Sequence, residues 1–307
     1  MKIFHLFVAA IGLAVTTSCT LDKTDFEAEI NKDVTEFFEF KEVTSFNSGP
    51  YKISIEALNG TLYKGYNEIR VKIFDNQSQM LNTSEVTFLP VHTGSDNIAT
   101  SCPHRHQLIY EEEGNYYSGY VVFTSVSNTM ENWNVYIAFT DHYQTYNAKQ
   151  FVTVKNQANM NLNMTTFTGN DGIEYCIALV APQKPKVAEN EMIAGIYKYN
   201  QSVTTIENYP DPSQFSYVEA SDYTLLIDPR MPEPSMGNHS SPNNVDLTQH
   251  TDGLYHGVVN YTMTGNWTLN FIMMDPNGQV IKGTQVPSDF TPGIEGAKSE
   301  LFIDILF

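Results

Sequence analysis

The chain has 307 residues, a formal net charge of −18 and a pI near 4.7. That charge repels polyanions and argues against a nucleic-acid partner; it suits a solvated secreted protein and is compatible with attracting cations. With 41% hydrophobic residues the chain can bury real cores, and residues 49–307 are long enough for two ordinary domains.

The first element is "MKIFHLFVAAIGLAVTTSC", residues 1–19, with one lysine before an apolar run from Ile3 to Val15. The run is too short to cross a bilayer and reads as a signal peptide. The small residues before Cys19 resemble a bacterial lipobox, with Thr16 where leucine or valine is usual. Cys19 is therefore the expected lipidated N-terminus, anchored in the outer or inner membrane of a cell envelope, periplasmic or surface-exposed. Ordinary secretion with cleavage nearby is the competing reading. Residues 20–48 are polar and acidic and read as a tether, although their phenylalanines could also dock on the first domain.

Strand-like runs follow one another from there. They are "YKISIEAL" (51–58), "NEIRVKIFD" (67–75), "SEVTFLPV" (84–91), "YYSGYVVFTSV" (116–126) and "NWNVYIAFT" (132–140). After them come "EYCIALVA" (174–181), "EMIAGIYKY" (191–199), "DYTLLID" (222–228), "LYHGVVNYTM" (254–263), "NWTLNFIMM" (266–274) and "ELFIDILF" (300–307). They alternate apolar with polar side chains or are rich in β-branched and aromatic residues, and Gly, Asn, Asp and Pro separate them. No long stretch has a 3.6-residue period. The expected fold is all-β, made of antiparallel β-sandwiches.

The order of motifs repeats. "VTFLPVHTGSDNIATSCPH" (86–104) aligns with "TLLIDPRMPEPSMGNHSSPN" (224–243), Pro90 on Pro229 and Pro103 on Pro242. "GNYYSGYVVFTSV" then answers "GLYHGVVNYTM", and "NWNVYIAF" answers "NWTLNFIM". This reads as a tandem duplication, with a first domain at 49–155 and a second at 160–307. Trp133 and Trp267 fall at equivalent places and are expected in the two cores.

A strand ending in Met-Pro-x-x-x-Met with a nearby histidine, then a Gly-x-Tyr strand and an Asn-Trp strand, resembles the YtkA-like domain, a relative of the FixH family. The pieces that carry the resemblance are "MPEPSMGNH", "GLYHGVVNYTMTGNW" and, more loosely, "GNYYSGYVVF" with "NWNVYIAF". It spans about two thirds of the folded chain by this reading and is weaker in the first repeat, which has "PVHTGSD" in place of the Met-Pro pair. The resemblance implies two tandem immunoglobulin-like sandwiches outside the cytoplasm, and an association with copper handling.

Two sets of residues could hold a metal. Thioether sulfur is a soft ligand and imidazole suits copper. Met231, Met236 and His239 lie within nine residues, on a loop that Pro232 and Pro234 are expected to keep extended. His256, on the next repeat strand, is the expected fourth ligand, with His250 as its alternative. The competing reading is structural: methionine caps the end of a sandwich and fills gaps with its flexible chain. In the first repeat His92, Cys102, His104 and His106 form a second candidate site for copper or zinc, without zinc-finger spacing. His142 reads as a surface residue.

Cys102 lies in a polar loop and could be reactive or a ligand, whereas Cys176 in "EYCIALVA" reads as a buried thiol; a disulfide between them is compatible with an oxidising compartment. No Gly-x-Ser-x-Gly elbow and no paired acid–base carboxylates occur, so an enzyme is not expected. Two functions follow. One is a copper-binding envelope lipoprotein, a chaperone or buffer. The other is a structural or interaction module that binds an envelope protein or a glycan without metal.

Overall fold

The computed structural model describes residues 39–83, 85–94, 98–128, 131–157, 160–199 and 217–307. The expected signal peptide, Cys19 and the tether as far as residue 38 lie outside them. The chain first forms β1 (Phe40–Ser48), β2 (Tyr51–Leu58), β3 (Leu62–Tyr63), β4 (Gly65–Phe74), β5 (Val86–Thr93) and β6 (Ala99–Thr100). Then come β7 (Ile109–Glu111), β8 (Tyr116–Phe123), β9 (Asn132–Asp141), β10 (Gln144–Val152) and β11 (Val154–Lys155). Beyond residue 160 it forms β12 (Met164–Thr168), β13 (Glu174–Ala181), β14 (Glu189–Tyr199), β15 (Tyr217–Glu219), β16 (Thr224–Met231) and β17 (His239–Ser240). The last strands are β18 (Val245–Gln249), β19 (Tyr255–Asn260), β20 (Asn266–Met274), β21 (Val280–Lys282) and β22 (Leu301–Leu306).

The main strand pairings are antiparallel, and the expected sandwich is present. In the first half, sheet β1-β2-β4-β8-β7 faces sheet β10-β9-β5-β6. Period-2 patterning drives this: in β4, Asn67, Ile69, Val71 and Ile73 point inward while the residues between them are more exposed. Ile55 and Ile69 from one sheet and Phe88, Trp133 and Ile137 from the other share one core.

The second half repeats the order of this plan, β12-β13-β14-β19-β18 against β22-β20-β16-β17, and adds β15 on β14 and β21, which with β22 pairs β20. One difference is that Thr224 and Leu225 of β16 also pair with Thr248 and Leu247 of β18. The second sandwich is therefore a single hydrogen-bonded network of eleven strands folded over a common core that includes Ile177, Met192, Leu269 and Phe271.

The duplication extends to single hydrogen bonds. Asn67 accepts from the Tyr63 N–H at 2.8 Å and donates to the Tyr63 and Gly65 carbonyls at 2.7 and 2.9 Å. Asn190 does the same with Lys186 and Ala188, at 3.0, 2.8 and 2.7 Å. Each clamp satisfies the irregular backbone that leads into the central strand. Trp133 donates its indole N–H to the Ser125 carbonyl at 3.1 Å and Trp267 to that of Met263 at 3.0 Å. Both indoles are buried.

Two expectations need correction. The tether was expected to run to residue 48, yet Phe40–Ser48 is β1 and pairs with β2 along its length. It reads as a linker because it is an edge strand whose outward positions carry Lys41 and Glu42; Val43 and Phe46 pack on the first core. The second correction is a register. Matching Gly114-x-Tyr116 to Gly253-x-Tyr255 pairs the wrong residues. Gly119 lies opposite Ile69 and Gly257 opposite Met192, so Tyr117 is the counterpart of Tyr255, both buried. A one-residue slip exchanges the inner and outer faces of a strand, and burial decides it. Both glycines admit a close approach: a Cβ on Gly257 would stand 2.5 Å from the Val245 carbonyl oxygen, and one on Gly119 would collide with Leu108.

The two sandwiches belong to one compact unit, Asp33–Phe307. They meet through outward strand faces: Val122, Tyr66 and Tyr120 pack with Met164, Cys176, Ala178 and Tyr197. The Tyr120 ring lies 5.7 Å from Tyr66 and 5.8 Å from Tyr197. Tyr120 donates to Glu219 at 3.1 Å, and Tyr217 donates to the Ser101 carbonyl at 3.2 Å.

Candidate functional site

The Met-His loop closes one end of the second core. Met231 ends β16 and lies directly across from His239 of β17. Its side chain is 1% exposed, within the cluster that contains Tyr261 and Trp267. Met236 is half-buried and packs on the same cluster. The loop is not extended: Met236 N–H bonds the Glu233 carbonyl at 2.9 Å, and His239 N–H bonds that of Met236 at 3.2 Å. Gly237 and Asn238, at φ +65° and +52°, turn the chain between them. His239 Nε2 lies 2.8 Å from the Thr262 hydroxyl, with its ring 6.2 Å from that of Trp267.

His256 is elsewhere. On β19 it faces Ile193 of β14, six residues before Thr262, which is about 20 Å of extended chain. Its Nε2 donates to Asp252 at 2.9 Å and its Nδ1 to Glu191 at 3.2 Å. Partial burial opposes its charge, but these two carboxylates outweigh that and raise its pKa. With each ring nitrogen engaged by a carboxylate, the ring has no free nitrogen turned to the Met-His loop. Its ring stacks 4.3 Å from that of His250. The structure thus gathers Met231, Met236 and His239 around Trp267 and leaves His256 out. One sulfur of the set is sealed in the core, and Nε2 of its histidine is engaged by a hydroxyl.

The second candidate set is divided between core and edge. His92 occupies the position of Met231, across from Trp133 with ring centroids 4.9 Å apart. Cys102 is fully buried in the first core, and burial pushes its thiol well above the ordinary value. His104 Nδ1 donates to the Cys102 carbonyl at 2.7 Å, and burial pushes its pKa down to about 4. His106 Nδ1 donates to the Phe88 carbonyl at 3.2 Å, and burial lowers its pKa too. The two rings stand edge to face, 6.1 Å apart. Among the described residues, no three His, Cys, Asp or Glu side chains come together as a metal site.

Cys176 is buried at the junction, with its thiol raised by burial, as the apolar run implied. Cys102 and Cys176 are both free thiols, and neither is reactive in this protonated, buried state. A cleft of about 380 Å³ opens beside Cys176, lined by Ser101, Thr166, Glu174, Tyr199 and Tyr217 among others.

One feature was not legible as a site. The β9–β10 hairpin turns on two residues, His142 and Tyr143, with Asp141 paired to Gln144. Both have positive φ, 47° and 65°. Tyr143 is fully exposed, and the His142 side chain is 93% exposed, as a surface histidine should be. Asp141 accepts from His142 Nδ1 at 2.8 Å and from the Tyr51 hydroxyl, and these bonds hold its carboxyl below the usual range. The signal was a two-residue gap between alternating runs, but without the Asn-Gly pair that usually marks it.

No family model matches the chain, and no curated protein matches it. Among solved structures, one similar chain is described as FdeC, a broadly conserved Escherichia coli adhesin. The likeness covers 83% of this chain and 73% of that one, at 9% identity and a TM-score of 0.20. A likeness that distant carries no argument here.

Proposed function

We propose that the chain is a non-catalytic interaction module of the cell envelope, lipid-anchored through Cys19, in which two YtkA-like sandwiches form a rigid body. The observation that carries this reading is how the chemistry-bearing side chains are used. Met231 and Cys102 are core residues, and His256 is tied to two carboxylates. His104 and His106 donate to backbone carbonyls. Side chains spent in this way stabilise a scaffold and leave its surface to meet a partner. The anchor rests on the run before Cys19, and the YtkA-like kinship on the quoted motifs.

A copper chaperone or buffer is the second reading, and the cross-strand pairing of Met231 with His239 is the observation in its favour. One experiment separates the two. Met231→Leu with Met236→Leu keeps volume and removes sulfur, at under about 1.5 kcal/mol per site. The module reading expects Cu(I) uptake, measured against a competing chelator, to be the same in the variant and the wild type. A large loss of affinity in a folded variant refutes it. Localisation is tested apart from this: Cys19→Ala should move the protein out of the membrane fraction.

A further inference from the structure

The β9–β10 tip has a counterpart in the second sandwich. Because Trp133 and Trp267 are equivalent, Asp141 corresponds to Asp275. Asp275 accepts from the Asn277 and Gln279 N–H groups at 2.9 and 2.8 Å, and Gly278 takes the positive φ of 78°. Pro-Asn-Gly is low-strain turn chemistry. At the same place the first sandwich puts His142 and Tyr143 in the left-handed region. That region is uncommon for a side chain as bulky as that of Tyr143, and Asn-Gly would sit there without strain. A strained backbone that persists where an easier one exists points to use.

The position of the tip agrees. Tyr51, next to the β1–β2 turn, bonds Asp141, so the tip shares a pole with that turn. The chain enters at Phe40, the other end of β1, about 27 Å away. The junction residues Tyr66 and Val122, paired with each other, lie at that other end too. The tip is thus at the pole of the first sandwich opposite Phe40 and opposite the described junction residues Tyr66 and Val122.

Its chemistry narrows the partner. The loops of this pole, 49–50, 75–79, 112–115 and 141–144, contain no lysine or arginine, whereas Asp75, Glu112 and Glu113 stand there. Anionic ligands are excluded by that charge. The same loops carry exposed side-chain amides: Asn76, Gln77, Gln79, Asn115 and Gln144. Tyr143 is the one exposed large hydrophobic residue of these loops. A stable protein interface needs a broad apolar centre, which one ring does not supply. A single exposed flat ring, on a pole whose loops carry uncharged amides, matches one sugar ring, which offers a C–H face to stack and hydroxyls to bond.

We propose that the His142–Tyr143 hairpin tip is a recognition site for neutral glycans, with Tyr143 as the stacking platform. This deepens the interaction-module reading and rests on it. The test uses the full chain in a zwitterionic, sugar-free detergent, probed with arrayed neutral and acidic oligosaccharides. Binding of a neutral glycan is expected. Tyr143→Ala should weaken it by up to about ten-fold, the size of one aromatic contact, and Tyr143→Trp should keep it. The double change His142→Asn with Tyr143→Gly should raise Tm by a few degrees and remove binding, which separates loss of recognition from loss of fold. The proposal is overturned by absence of any neutral-glycan binding, by binding confined to acidic glycans, or by a Tyr143→Ala protein that binds as well as wild type. Fractionation of the Cys19→Ala protein reads the envelope assignment independently, so the two can fail separately.

Discussion

His92 and Met231 hold the same place in the two sandwiches, each at the end of its strand beside the buried tryptophan of the neighbouring one. One is an imidazole packed on Trp133, the other a thioether sealed beside Trp267. The shared requirement is a side chain that fills the space by an indole; the ligand chemistry differs between the copies. That argues for packing as the reason for Met231. A second contrast lies in the histidines. In the first sandwich burial lowers the pKa values of His104 and His106, whereas in the second Asp252 and Glu191 raise that of His256.

The largest test of equivalence removes the indoles. Trp133→Ala and Trp267→Ala should each cost about 3–5 kcal/mol in denaturant unfolding. The two sites share no partner, so the double variant should lose the sum to within about 0.5 kcal/mol. Strongly unequal losses would break the symmetry argued here.

Acid comes next. His104 has its folded pKa depressed to about 4, below an unfolded value near 6.5, so the folded state binds fewer protons between them. Its stability contribution is present above pH 6.5 and is lost as pH falls toward 4, by about 3 kcal/mol when complete. His104→Phe should flatten that limb of the pH–stability curve. His256 has the opposite sign. Its raised pKa makes its contribution complete below pH 6.5 and lost as pH rises through the folded value, and His256→Gln should remove that decline.

Asn67→Ala and Asn190→Ala should then cost about 1–3 kcal/mol each, since each leaves backbone groups unpaired. A near-neutral result at one of them, from thermal melts, would show that the clamps are alike in geometry and unlike in weight. The smallest effect is Tyr120→Phe, about 1 kcal/mol for the hydrogen bond to Glu219 across the junction.

The strands were the most legible part. "YKISIEAL", "EYCIALVA" and "NWTLNFIMM" are strands over the very residues read from the pattern. Edge strands were not: β10 (Gln144–Val152) alternates among polar residues, and β1 looks like a charged linker, because one side of each faces water. The repeat was visible in its prolines and tryptophans, yet the glycine match slipped by one residue, since Gly-x-Tyr occurs where no burial can be read. Of the candidate sites, the closeness of Met231 to His239 and of His104 to His106 was legible from spacing. The fate of each side chain was not, because core against surface and carboxylate against metal are settled by distant strands.

The sequence by itself determined an all-β chain with a duplicated order of strands, and the residues fit for the two cores, since period-2 patterning and turn residues act locally. Only the tertiary structure decided that β18 joins β16 and closes the second sandwich into one network. It decided too that His256 belongs to Asp252 and Glu191, and that Tyr143 stands exposed on the β9–β10 turn. Those outcomes depend on which faces meet across many residues of chain, and burial and charge pairing act only once they have met.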